Sequence, residues 1–104
     1  MMYASVMQLF PGYEEEYRAR HDAIWPELSA HLKDCGIRNY HIYLHPQTLQ
    51  LFASFETDAP LDEVALKQHP VMQRWWHYMA DIMETQADSP EPQAVALTEV
   101  FHLP

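Results

Sequence analysis

The chain has 104 residues, a hydrophobic fraction of 48%, an aromatic fraction of 12% and a formal net charge of −9. Such a composition excludes a disordered tail, and the length predicts one domain, residues 1–104, with a core that needs no metal or disulfide staple. The acidic balance argues against nucleic acid or an anionic membrane as partner, since both demand a basic face; a neutral or cationic small molecule remains allowed.

Residues 2–10 alternate as a strand and stop at Pro11-Gly12, a turn signal. Residues 13–34 read as a helix that finishes before Gly36, with a kink or break at Pro26, whose ring clashes with the carbonyl of Asp22. A second strand over 37–45 and a third over 49–57 flank the turn at His45-Pro46-Gln47-Thr48. Asp58 reads as the N-cap of a helix over 59–68, and Pro70 opens another over 70–84, with the stripe Met72, Trp75, Trp76, Met79, Ile82 and Met83. A loop over 86–93 leads to a last strand, 95–103.

The order β-α-β-β-α-β predicts an α+β, ferredoxin-like fold: a four-stranded antiparallel sheet with helices on one face. The first and last strands carry apolar residues on both faces, Ala4, Val6 and Phe10 against Tyr3, Met7 and Leu9, and Val100 against Phe101 and Leu103. The second sheet face is then expected to be covered, and a homodimer through the sheets is the arrangement this implies. The single Cys35 fits a reducing compartment, no stretch is long enough to span a bilayer, and the apolar first ten residues lack a basic region and a cleavage site. The expected location is the cytoplasm.

The first helix has an unusual inward face. Tyr13, Tyr17, Ile24, Leu28 and Leu32 form its stripe, and His21 falls on the same stripe one turn after Tyr17. Burying an imidazole costs free energy unless its nitrogens find partners, and its ordinary pKa lies close to neutrality. A proton-handling pocket between this helix and its packing partner follows as the first expectation, with Tyr17, Arg18, Arg20 and Trp25 around it. Tyr40 alternates with Ile42 and Leu44 and so points at the helices, into the space where His21 points. Trp75 and Trp76 project about 100° apart on their helix, so one can enter the core while the other flanks the cleft.

His41 and His45 share a strand face, a weak spacing for zinc and more simply a solvated face. His31, His69, His77 and His102 have no recurring spacing and read as surface or edge residues. Glu14-Glu15-Glu16 suits the positive end of a helix dipole.

Four blocks of the chain resemble a known family. Arg20-His21-Asp22-Ala23-Ile24-Trp25-Pro26-Glu27-Leu28, Asn39-Tyr40-His41-Ile42-Tyr43-Leu44, the run Gln73 to Met83 and Glu99-Val100-Phe101-His102-Leu103 are similar to the L-rhamnose mutarotases, from about residue 3 to the C-terminus. The resemblance implies a dimeric ferredoxin-like fold and interconversion of the α and β anomers of L-rhamnose without a metal or other cofactor. It also implies His21 as proton donor and Tyr17, Tyr40, Trp75 and Trp76 as sugar-binding residues. On this reading His21 donates to the ring oxygen and recovers the proton on closure, with a tyrosine hydroxyl or a bound water as partner base. The segment after Met83 is shorter here than the Asn-Pro-Asp-Asn-Ser-Pro-like segment common in the family, which bears on the preferred sugar. Two rivals from other classes share the architecture: a cofactor-free or haem-using oxygenase, and a sugar-sensing module without catalysis.

Overall fold

A computed structural model describes residues 1–104. Its elements run β1 (Met2–Gln8), α1 (Glu14–Asp22), α2 (Pro26–Asp34), β2 (Arg38–Leu44), β3 (Gln50–Glu56), α3 (Glu63–Gln68), α4 (Pro70–Met79) and β4 (Val95–Ala96). The strands form one antiparallel sheet in the order β2-β3-β1-β4, the ferredoxin-like arrangement expected from the pattern. No helix is long and apolar enough to cross a membrane.

Two prolines decide the helix boundaries. The expected helix over 13–34 is broken into α1 and α2: Trp25, which precedes Pro26, is held extended at φ −62°, ψ 131°, and Pro26 then opens α2. α3 begins later than the sequence suggests. Pro60 keeps the chain out of helical backbone, so Asp62 rather than Asp58 is the cap, accepting from the Ala65 N–H at 3.1 Å. Asp58 instead pairs with Arg38 at 2.6 Å. α4 starts at Pro70, with the His69 ring accepting from the Val71 N–H at 3.1 Å, and it ends at Met79 rather than residue 84. Ile82 and Met83 follow in the turn and are still buried, because Met83 bridges to Leu9 beside the sheet.

The strand registers separate two faces. Met7 opposite Leu51, Ser5 opposite Ala53, and Ile42 and Leu44 opposite Ala53 and Leu51 look toward the helices. Leu9, Leu28, Leu51, Val71, Met79 and Ile82 form the centre of that core. Val6 lies opposite Phe52 and Val95, and Phe52 opposite Tyr43. Tyr43, Phe52, Val6 and Val95 therefore make one apolar row across all four strands on the face that no helix covers.

Two expectations are corrected. The last strand is only two residues long, not nine, and everything from Leu97 to Pro104 is exposed. His31 is buried rather than superficial: α2 turns it toward α3 and α4, where its ring stacks on His69 at 4.1 Å and its Nε2 lies 2.9 Å from the Leu66 carbonyl. That contact satisfies the buried nitrogen and accounts for the position without a functional role.

Candidate active site

Tyr17 and His21 are one turn apart on α1, so their side chains lie over one another. The rings stack with centroids 4.3 Å apart. His21 Nδ1 sits 2.9 Å from the Tyr17 carbonyl oxygen. A carbonyl only accepts, so Nδ1 carries the proton and donates it, and in the neutral ring Nε2 keeps its lone pair. Burial pushes the His21 pKa below the usual histidine range, and this outweighs the opposing pull of the Tyr17 carbonyl and of Asp22. The resting side chain near neutrality is an uncharged imidazole with one nitrogen anchored and the other free.

A depressed pKa also fixes the sign of the pH dependence. The unfolded chain binds the His21 proton more readily than the folded one, so the contribution to stability is complete above the unfolded value of about 6.5 and is lost as pH falls through the folded value. An NMR titration of the His21 ring carbons is expected to give a midpoint below about 6.5; one above it would contradict the burial argument.

Trp75 stands edge-on to the His21 ring, with centroids 5.4 Å apart and planes at 89°. It is buried on α4 and is itself supported by Trp25, which packs edge-on at 5.1 Å and stacks on Tyr78 at 5.4 Å. Arg20, next to His21 in the chain, ties the end of α1 to the end of α4. Its guanidinium donates to the Tyr78 carbonyl at 2.7 Å, to Asp81 at 2.9 and 3.3 Å and to Glu16 at 2.9 Å, and lies 4.3 Å over the Tyr78 ring. Fork geometry of this kind holds a direction as well as a charge. Asp81 is correspondingly kept below the ordinary carboxylate range by its hydrogen bond to Arg20. The clamp holds the helix turn that presents His21.

Tyr40 enters from the sheet. The chain takes a positive φ of 50° at Asn39, and the β2–β3 register shifts between Arg38 and His41. Past this irregularity Tyr40 leans on Phe55, with rings 5.3 Å apart, and the residue as a whole is 43% exposed. Its hydroxyl end is enclosed, and burial raises its pKa. The Tyr17 phenol is pushed up further, by burial first and then by the nearby Tyr40. Both hydroxyls therefore stay protonated across the working range and can donate as well as accept.

These side chains surround a cavity of about 880 Å³ between α1, α2 and β2, whose inner wall is Tyr17, His21, Tyr40, Ile42, Met72 and Trp75. The same six residues also border a smaller recess of about 80 Å³, closed at the back by Trp76, Met7, Met79, Met83 and Pro92. All five site residues expected from the sequence thus meet in one place, with Trp75 at the main cavity and Trp76 behind it in the recess. Pro92 brings the short segment after Met83 to the recess wall. That segment is pinned by the Gln86 N–H on the Glu91 carbonyl at 2.9 Å and by the Lys67–Glu91 ion pair at 3.0 Å.

Sequence reasoning did not find the clamp of Arg20, Asp81 and Tyr78 or the prop supplied by Trp25, because their partners are far apart in the chain. His41 and His45 stay out of the site. His41 stacks on Tyr43 at 6.0 Å, and His45 Nδ1 accepts the Gln47 and Thr48 N–H groups at 3.2 Å to close the turn.

Comparison with known proteins agrees with this geometry. Residues 2–103 match the family model for L-rhamnose mutarotase. The L-rhamnose mutarotase of Sinorhizobium fredii is 56% identical over 97% of this chain and 96% of its own length. That of a Jannaschia species is 54% identical over 98% and 97%. The crystal structure of an L-rhamnose mutarotase from Formosa agariphila superposes with a TM-score of 0.89 at 35% identity, covering 100% of this chain and 99% of that one. A match of this extent, in sequence and in fold, places the chain in the L-rhamnose mutarotase family.

Proposed function

We propose that this protein interconverts the α and β anomers of L-rhamnose by general acid–base ring opening and closure, with His21 as the group that moves the proton. The observation that carries the proposal is the imidazole with Nδ1 held by the Tyr17 carbonyl at 2.9 Å and Nε2 left free at the cavity wall. Nε2 takes the proton from the anomeric hydroxyl. The electron pair left on that oxygen forms the aldehyde C=O, the bond from C1 to the ring oxygen breaks, and its pair stays on the ring oxygen. The imidazolium then gives its proton to that oxygen. Both oxygens are bonded to C1, so one nitrogen reaches each without a second base. Rotation about C1–C2 and the reverse steps deliver the other anomer.

The neutral resting state supports this order, since an uncharged imidazole begins as the acceptor. Tyr17 and Tyr40 hydrogen-bond sugar hydroxyls, and the Trp75 indole offers an apolar face to the pyranose ring. The recess lined by Trp76, Met79 and Met83 has the size and polarity for a methyl group rather than for a solvated hydroxymethyl, which suits a 6-deoxy sugar. A further hydroxyl would be disfavoured only modestly, since an apolar pocket discriminates against one by about 10² at most.

The same proposal includes a homodimer joined through the uncovered row Tyr43, Phe52, Val6 and Val95, in a cytoplasmic setting consistent with the free Cys35. The reaction is tested by NMR saturation transfer between the α and β anomeric protons of L-rhamnose with catalytic amounts of protein. Transfer above the spontaneous rate is expected. Its absence, with sugar binding retained in an equilibrium titration, would favour a sensing module instead.

A further inference from the structure

Between two fixed pairs, β2 carries one residue more than β3. Arg38 lies opposite Glu56 and His41 opposite Ser54, which leaves Asn39 and Tyr40 together against Phe55. Two residues facing one make a β-bulge, and the extra residue changes which way its neighbours point. In an unbroken strand Arg38 would follow Leu44, Ile42 and Tyr40 onto the helix side, with Asn39 outside beside His41 and Tyr43. The bulge reverses this at its N-terminal end. Arg38 turns out to Glu56 and Asp58, at 3.3 and 2.6 Å, and Asn39 joins Tyr40 among the residues around the cavity.

Asn39 has the left-handed backbone that suits such a bulge, at φ 50°. Glycine meets that conformation without steric strain, so the side chain here is an addition rather than a necessity. What it adds is a primary amide, a donor and an acceptor on one planar group, and this amide makes no hydrogen bond within the protein. Only the Asn39 carbonyl of the main chain is engaged, accepting from His41 Nδ1 at 3.2 Å. A pyranose with its anomeric and ring oxygens at His21 and its methyl group in the Trp76 recess has little freedom left. C1 and C5 both flank the ring oxygen, so C3 and its hydroxyl form the opposite end of the ring and point away from the recess. Asn39 borders the main cavity and not the recess, on the side where that end of the sugar lies.

We propose that Asn39 is a further sugar-binding residue, whose side-chain amide pairs with the hydroxyl on C3 and with one hydroxyl beside it. Neighbouring hydroxyls can give one hydrogen bond and accept another, which is what the N–H and C=O of a primary amide require. The amide reads the end of the ring that neither His21 nor the recess touches, and so makes the site sensitive to the hydroxyl at C3. The inference rests on the L-rhamnose reading and deepens it. Asn39 stays clear of the reacting oxygens, so its contact is the same before and during ring opening and contributes to binding rather than to the chemical step.

The test follows anomer exchange across a range of L-rhamnose concentrations in full-length Asn39→Gly, which keeps the left-handed backbone and deletes the amide. KM is expected to rise about tenfold, the usual effect of losing one or two neutral hydrogen bonds, with kcat within about threefold of wild type. Asn39→Asp also tolerates the backbone, keeps an acceptor and loses the donor, and its KM should fall between the two. Repeating the comparison with 3-deoxy-L-rhamnose separates a contact from a change of shape. Wild type should bind that sugar more weakly, and the difference between wild type and Asn39→Gly should shrink to about twofold or less. A KM for L-rhamnose within about twofold of wild type in Asn39→Gly would overturn the proposal. So would a difference that persists in full with the 3-deoxy sugar, since Asn39 would then act by shaping the bulge. If wild type itself shows no exchange, the reaction reading fails, and equilibrium titration of the same two sugars against wild type and Asn39→Gly still decides the contact.

Discussion

Replacing His21 by alanine is expected to lower enzyme-driven anomer exchange by about 10² to 10⁴-fold, the usual worth of a positioned acid–base group. The protein should stay folded. The imidazole is only half-buried, and the Tyr17 carbonyl that it contacts lies inside α1, where the backbone N–H four residues on still serves it. The measurement is saturation transfer on L-rhamnose at matched protein concentration, beside a thermal melt. His21→Gln separates shape from titration: it keeps a polar group of similar reach that does not exchange a proton near neutrality, and it should be as inactive as alanine. Exchange within a few-fold of wild type in either variant would remove His21 from the mechanism.

Trp75→Ala carries the largest expected loss of stability. Trp75 is 6% exposed and touches His21, Trp25 and Tyr78 at ring separations of 5.4, 5.1 and 5.7 Å. Emptying such a position costs about 3–5 kcal/mol, a large share of the roughly 5–15 kcal/mol that holds a domain of this size together. In urea the midpoint should drop at nearly constant slope, and Tm should fall by about 4–8 °C for each kcal/mol lost. Activity should fall even in the fraction that remains folded, since the indole both presents a face to the sugar and supports the His21 ring. Trp75→Phe fills much of the volume and should restore most of the stability and less of the activity. A Trp75→Ala loss below about 1 kcal/mol would mean that the aromatic cluster is not the structural keystone described above.

Much of the site was legible from local pattern. Tyr17 and His21 are four residues apart and the helical period alone stacks them. Strand alternation sends Tyr40 inward with Ile42 and Leu44, and Pro26 announces the break that ends α1 just after His21. The stripe on α4 places both tryptophans on its buried side. These are short-range consequences of backbone geometry, and the order of elements follows from them. Where the reading missed, a turn or a competing partner intervened: Pro60 shifted the start of α3, and Asp58 had Arg38 to pair with.

What the sequence by itself determined, then, is the ferredoxin-like order and the set of side chains that line the cavity, because periods of two and 3.6 residues act within a few positions. Tertiary structure decided the rest. Which His21 nitrogen holds the proton depends on a carbonyl 2.9 Å away, and which helix turn presents the ring depends on Arg20 reaching Asp81, 61 residues on. His31 is buried because Leu66 and His69 happen to face it, and the last strand is only two residues long although β1 runs on to Met2. Contacts between distant positions leave no period in a sequence; they exist only once the chain has closed on itself.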